Sequence, residues 1–263
     1  PDVSVWAADA AAPGRPNAGV VVDDDGITLV DALTTPAQAS ELARALEPTG
    51  RPIRRVVLTS SHAEYCGGTS TFALAAVYGT AQISAHLDLP PNPDGLSRLY
   101  PDLAAELGEL TTRPVSHVIA EPAWISPTAV AVPVSGELAQ NLVVQVPEAG
   151  VVFAGALCSF GVTPLCFEGD LQAWHAALDR VLELGSVIVA GHGSVGGEAE
   201  VRTLQRYLEA CVDAAGDPGR LGEGPWTDWA APAYHAVNVE RAALLARSED
   251  RVPDTMLALL GLT

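Results

Sequence analysis

VVLTSSHAEYCGG, residues 56–68, opens as a short β-branched run of the kind that makes a fully buried strand and empties into a cluster of polar, titratable side chains before two glycines. The strand extends back to Arg54, over RRVVLT (54–59). Upstream, GVVVDDDGITLVDA (19–32) reads as two strands joined by a tight hairpin at Asp25-Gly26. TPAQASELARALEP (35–48) reads as a helix, with Thr35 as N-cap, Pro36 at its first position and Pro48 as its stop. In open α/β sheets, ligands gather at the carboxyl ends of strands, so the cluster after Thr59 is where chemistry is expected.

Downstream, the same grammar recurs. NLVVQVPEAGVVFAG (141–155) gives two strands around a Pro-Glu-Ala-Gly turn, and DLQAWHAALDRVLELG (170–185) gives an amphipathic helix capped by Asp170. SVIVAGHGSVGG (186–197) gives a strand that delivers His192 into a glycine-rich loop, followed by a helix over 198–214. Segments near 236–247 and 253–261 read as helices that could cap the mouth of the site. The expected organisation is one α/β domain over 1–263, in two halves of about 1–140 and 141–263. The least regular segment, 87–127, is expected to be a lid or an insertion bordering the cleft.

The bulk composition narrows the function classes. With 32 acidic against 14 basic residues the formal charge is -18, which repels nucleic acid and anionic membrane surfaces. All basic side chains apart from histidine are arginine. Without lysine there is neither Schiff-base chemistry nor a phosphate-cradling P-loop lysine. Such lysine-free, Ala/Val/Gly/Pro-heavy usage fits a GC-rich, actinobacterial genome. The four cysteines, Cys66, Cys158, Cys166 and Cys211, form no CxxC pair, and no apolar run approaches the roughly 20 residues of a membrane span. A reduced, cytoplasmic setting and a small-molecule substrate are expected; the oligomeric state is not readable.

The segments NAGVVVDDDGITLVDALTTPAQASELARAL, VVLT with its GG loop, VVFAGALCSFGVTP, DLQAWHAALDRVL and VIVAGHGSVGG resemble, in order and spacing, the metallo-β-lactamase-fold hydrolases. The resemblance implies a four-layer αββα sandwich with its site at one edge. It also implies a first loop of the form His-x-His-x-Asp-His that shares two zinc ions with a later histidine, a bridging aspartate and a Gly-His-Gly histidine. Here the first loop reads Ser60-Ser61-His62-Ala63-Glu64-Tyr65, Glu137 stands near the later histidine, Ala156 takes the place of the bridging aspartate, and His192 is retained. The inherited sets are thus Ser60, His62 and Glu137 around one position, and Glu64, Tyr65 and His192 around the other. Serine and tyrosine are weak zinc ligands, and alanine is none. No dinuclear zinc and no cofactor are expected; a single zinc, if retained, falls to His62, Glu137 and His192.

The expected function is therefore general acid/base catalysis of a cyclase, isomerase or lyase type on a small apolar organic substrate, with secondary metabolism as the setting by analogy. Its catalytic groups are His62, Glu64, Tyr65, Glu137 and His192, with Glu64 or Glu137 as base. Ser60, Cys66, Ala156, Cys158 and Trp124 are expected to line the substrate, with Trp226 and Trp229 in cleft-edge loops. The alternatives are a non-catalytic ligand- or partner-binding pseudoenzyme, and a mono-zinc hydrolase or thioesterase. Among the other histidines, His86 is read as core or rim packing, and His235 and Asn238 as helix capping.

Overall fold

In the computed structural model, residues 1–7, 13–108 and 110–262 are described. Six strands form the first sheet in chain order: β1 (Asp2–Trp6), β2 (Ala18–Asp23), β3 (Gly26–Val30), β4 (Ile53–Val57), β5 (Ala76–Gly79) and β6 (His117–Val118). β1, β2 and β3 are antiparallel; β4, β5 and β6 continue in parallel with β3. The second sheet runs β7 (Ala123–Trp124), β8 (Val130–Val134), β9 (Asn141–Val146), β10 (Val151–Ser159) and β11 (Val187–His192), antiparallel except for the β10–β11 pair. The chain passes from one sheet to the other between Val118 and Ala123.

The hairpin forms where Asp25-Gly26 places it, with Asp23 opposite Gly26. Helix α1 (Pro36–Leu46) begins where Thr35 accepts the Gln38 N–H, as the Thr-Pro pair requires. After β4 come α2 (Ala63–Cys66), α3 (Ala81–Leu87), α4 (Pro93–Leu99) and α5 (Ala104–Leu107). The later helices are α6 (Leu171–Leu184), α7 (Glu198–Asp213), α8 (Tyr234–Ala246) and α9 (Asp254–Leu260).

The inner faces meet in a core of Val21, Val30, Val57, Leu142, Val144, Phe153 and Val189, drawn from strands of both sheets. Helix α1 covers the outside of the first sheet through Ala39 and Leu42; α6 and α7 cover the second through Trp174, Leu178, Leu204 and Tyr207. This is the four-layer sandwich that the family resemblance implies. At its working edge, Gly155 adopts φ +49 and lies so close to Thr59 that a Cβ there would sit 2.1 Å from Oγ1. Glycine is what lets the two sheets approach at that point.

The structure corrects three expectations drawn from the sequence. Asn238 is not a cap: fully buried on α8, it accepts the Cys166 N–H (2.8 Å) and donates to Pro164 O (2.7 Å) and to the Tyr207 hydroxyl (2.8 Å). His235 shares a hydrogen bond of 2.9 Å with that same hydroxyl instead of capping the helix. Trp226 is buried in the core against Tyr207 rather than standing at a cleft edge.

A few residues on, Arg241 is equally buried and holds Gly169 O (2.8 Å) and Glu168 O (2.6 Å). Together Asn238 and Arg241 fasten the 163–169 loop to α8. Leucine at 238 leaves three buried polar groups short of a partner, so Asn238→Leu is expected to cost roughly 2–4 kcal/mol. Urea denaturation monitored by circular dichroism measures it.

Candidate active site

The loop after β4 and the loops of the second sheet converge on two imidazole–carboxylate pairs. His62, at the N-cap of α2, turns Nδ1 onto Oε1 of Glu137, which sits between β8 and β9. The other Glu137 oxygen accepts the Asn141 amide at 3.0 Å, and that amide also reaches Thr59 O. His192, at the end of β11, places Nε2 3.1 Å from Oε1 of Glu64 in α2, and the same oxygen accepts the Gly14 N–H at 2.8 Å. Each pair joins a residue of one sheet's loops to a residue of the other's.

The electrostatics follow from those partners. Burial works against a charged His62, but the carboxylates of Glu137 and then Glu168 outweigh it and raise its pKa to about 10. Burial likewise opposes ionised Glu64, yet His192 and the Gly14 N–H hold that carboxyl below its usual value. Beneath them lies Asp31, fully buried, in a left-handed conformation (φ 69), accepting both the N–H and the hydroxyl of Thr59. Burial, against those hydrogen bonds, pushes its carboxyl up to about 8, with the charge of Glu137 adding to the effect.

Two cavities meet at His62. An inner chamber of about 30 Å³ is lined by His62, Glu64, Tyr65, Glu137, Ala156 and His192, with Ser159, Thr163 and Tyr234 closing it. That is room for one water-sized group. An outer cleft of about 240 Å³ opens on the other side of the His62 ring, lined by Ser61, Cys66, His86, Tyr100 and Phe167 and by aliphatic side chains of α4 and α9.

All five residues expected to be catalytic therefore line the inner chamber, together with Ala156. The other expected lining residues divide. Cys66 borders the outer cleft, but its thiol donates to Ser61 O (3.2 Å) and burial raises its pKa to about 12, which leaves it without nucleophilic character. Ser60 is fully buried and braces the loop by accepting the His62 N–H at 3.2 Å. Cys158 lines neither cavity; it is sealed in the core with Leu157, Trp174 and Leu178, in the stretch of β10 where the pairing with β11 shifts register between Gly155 and Ser159. Trp124 lies on the edge strand β7, largely exposed and away from both cavities.

Sequence reasoning missed several groups. Glu168, in the loop between β10 and α6, sets Oε2 3.6 Å from His62 Nε2 and 4.0 Å from His86 Nδ1. Burial opposes its ionisation, but protonated His62 and then His86 hold its pKa below the usual value. His86 is not simple rim packing: its Nδ1 is 2.8 Å from the Ser61 hydroxyl. Phe167 stacks on His62 at 4.7 Å and 12°, and Tyr100 borders the same cleft, its phenol kept protonated by burial and by the charge of Glu64. One signal was available: FEGD (167–170) follows a strand of the second sheet, in the same strand-end loops that carry Glu137 and His192.

The donor set does not fit the two-zinc arrangement that the resemblance implies. Ala156 supplies no atom where a bridging carboxylate is needed, and each histidine already turns a ring nitrogen onto a carboxylate from the opposite sheet. A doubly protonated His62 has no lone pair to give. Among the described residues, no group of three or more His, Cys, Asp or Glu side chains is disposed to hold an ion.

A family model described as the metallo-beta-lactamase superfamily matches residues 11–193. Among solved structures, the metallo-β-lactamase FIM-1 from Pseudomonas aeruginosa in its mono-zinc form is 21% identical, with 79% of this chain and 89% of that one covered and a TM-score of 0.59. Metallo-β-lactamases from Erythrobacter litoralis (20%, 74% and 85% covered, TM-score 0.57) and Hirschia baltica (19%, 78% and 92% covered, TM-score 0.60) are also similar. At that identity the likeness is one of fold. A comparison with curated proteins gave no match.

Two predictions come from this geometry. Untagged protein purified without added zinc and dialysed is expected to retain well under one equivalent of metal by elemental mass spectrometry; one or two retained equivalents would contradict the donor-set reading. The second concerns pH. His62 has a folded pKa above its ordinary value of 6.5, so its stabilisation is complete below about 6.5 and is lost as pH rises towards about 10. Asp31, raised from 3.8 to about 8, falls away in the same direction over a lower range. The melting temperature should therefore decline from pH 6.5 to 10, and decline less steeply in His62→Gln.

Proposed function

The chain belongs to the metallo-β-lactamase superfamily, and from that membership we propose that it is an enzyme that works without a dinuclear zinc centre, by proton transfer on a small, largely apolar organic substrate. The reaction type assigned is a cyclase, isomerase or lyase step, and by analogy with family members that act on polyketide chains the setting assigned is secondary metabolism. One observation carries the reading. Among the described residues His62 Nε2 is buried without a hydrogen-bond partner, in a ring that forms the wall between an apolar cleft and a polar chamber, with the Glu168 carboxylate 3.6 Å away.

In this reading Glu137 keeps Nδ1 of His62 protonated and fixes the ring, as the third member of a catalytic triad orients its base. His62 donates its Nε2 proton to a substrate carbonyl oxygen. Glu168, not foreseen from the sequence, accepts a proton from the carbon beside that carbonyl, and the C–H electron pair becomes the C=C bond of an enol. Return of the proton to a different carbon isomerises the substrate; expulsion of a β-substituent makes the reaction a lyase step. Glu64 and His192, locked to one another, and Tyr65, edge-on to His192 with ring centroids 6.3 Å apart, complete the polar wall.

Exchange of α-protons in deuterated water tests the reading without the natural substrate. Wild-type protein is expected to catalyse deuterium incorporation beside the carbonyl of 2-nonanone, followed by proton NMR. General acid/base groups contribute about 10²–10⁴-fold, so Glu168→Gln and His62→Gln should each lose at least 10²-fold with an unchanged circular dichroism spectrum. Saturable binding with no exchange above buffer would instead favour the non-catalytic binding protein.

A further inference from the structure

The outer cleft and its surroundings specify the ligand more closely than the acid/base groups do, and this specification rests on His62 being the reacting end. The far walls of the cleft are aliphatic: Leu89, Leu96, Leu99 and Leu110 on one side, Met256 and Leu260 of α9 on the other. Among the rings that border it, Phe167 is already stacked on His62. The far walls thus offer a ligand aliphatic contacts, and an aliphatic chain fills such a wall by dispersion and apolar burial. At about 240 Å³ the cleft has room for about eight groups of water size.

The charge around the cleft decides the head group. Among the described residues no arginine lines it and the chain has no lysine, so a free carboxylate or phosphate would find no guanidinium or ammonium there, and at His62 Nε2 it would lie beside the Glu168 carboxylate, 3.6 Å from that nitrogen. His62 Nε2 is buried without a hydrogen-bond partner among the described residues, and it matches a single small oxygen acceptor.

We propose that the site takes an uncharged carbonyl compound, a ketone, ester or lactone, carrying an unbranched aliphatic tail of about eight atoms. The carbonyl oxygen lies against His62 at the mouth of the inner chamber, and the tail runs out between α4 and α9. Helix α9 lies beyond the segment that the family model matches, and its Met256 and Leu260 line the cleft that would hold the tail.

The only methionine of the chain, Met256, lines the cleft and supplies the test. With methyl-¹³C methionine, the Met256 signal is expected to shift saturably with 2-nonanone and at least tenfold more weakly with octanoate, with 2-butanone or with acetophenone. Each methylene removed from the probe should weaken binding by about fourfold. Leu96→Trp and Leu260→Trp, both at partly exposed positions, should each reduce the affinity at least tenfold with the fold unchanged. Equal or tighter binding of octanoate or acetophenone, no shift with any probe, or indifference to both tryptophans would overturn the proposal. Its failure is separable from that of the acid/base reading: a saturable shift without α-proton exchange removes only the latter, and exchange without a shift removes only the former.

Discussion

The proton held between His62 and Glu137 joins the two sheets at the edge where the site is built. His62 arrives from the end of β4 in the first sheet, Glu137 from the turn between β8 and β9 in the second, and a buried imidazolium tolerates that position only because a carboxylate meets it. His192 and Glu64 repeat the device from the opposite direction, with the histidine now on the second sheet and the carboxylate on the first. A positive charge is thereby supplied by protonated His62 at a position where the family resemblance implies a cation. Removing one partner of such a pair strands a buried charge, at a cost of about 3–5 kcal/mol, so each pair constrains the sandwich as well as any chemistry.

The remaining architecture keeps those pairs in register. Asn17, next to β2, donates to Ala190 O and Gly193 O on either side of the His192 loop. Thr59 is held by Asp31 from below and meets the Ala156 N–H from the other sheet. The 163–169 loop, which carries Phe167 and Glu168 to His62, has its carbonyls and an N–H taken up by Asn238 and Arg241. Those two residues lie on α8, past the segment that the family model matches. The C-terminal helices thus act on the site twice, by fixing a loop and by walling a cleft.

The sheets, hairpin and capped helices were legible in the sequence because each announces itself within ten residues: a period, a Thr-Pro cap, an Asp-Gly turn. The residues of the inner chamber were legible because the family resemblance supplied the positions to inspect, and the substitutions there are chemically loud. An alanine in place of a bridging carboxylate is visible at once. Glu168, Tyr100 and Asn238 were not, because apart from the strand-end position of FEGD (167–170) nothing local marks them: their roles depend on a loop, a helix end and α8 meeting across long sequence separations. Cys158 was misassigned for a simpler reason. The register shift of β10 between Gly155 and Ser159 breaks the alternation that would place Cys158 on the same face as Ala156, and a strand of continuous apolar composition gives no sign of it.

The central claim is that a protonated imidazole, that of His62, and not an ion meets Glu137 at this edge of the sandwich, and ¹⁵N NMR of histidine-labelled, untagged protein at pH 8 tests it most directly. The account predicts that His62 shows two protonated ring nitrogens, that the Nδ1 proton lies far downfield through its bond to Glu137, and that added zinc leaves both unchanged. A neutral His62 whose bare nitrogen shifts on stoichiometric zinc would contradict it.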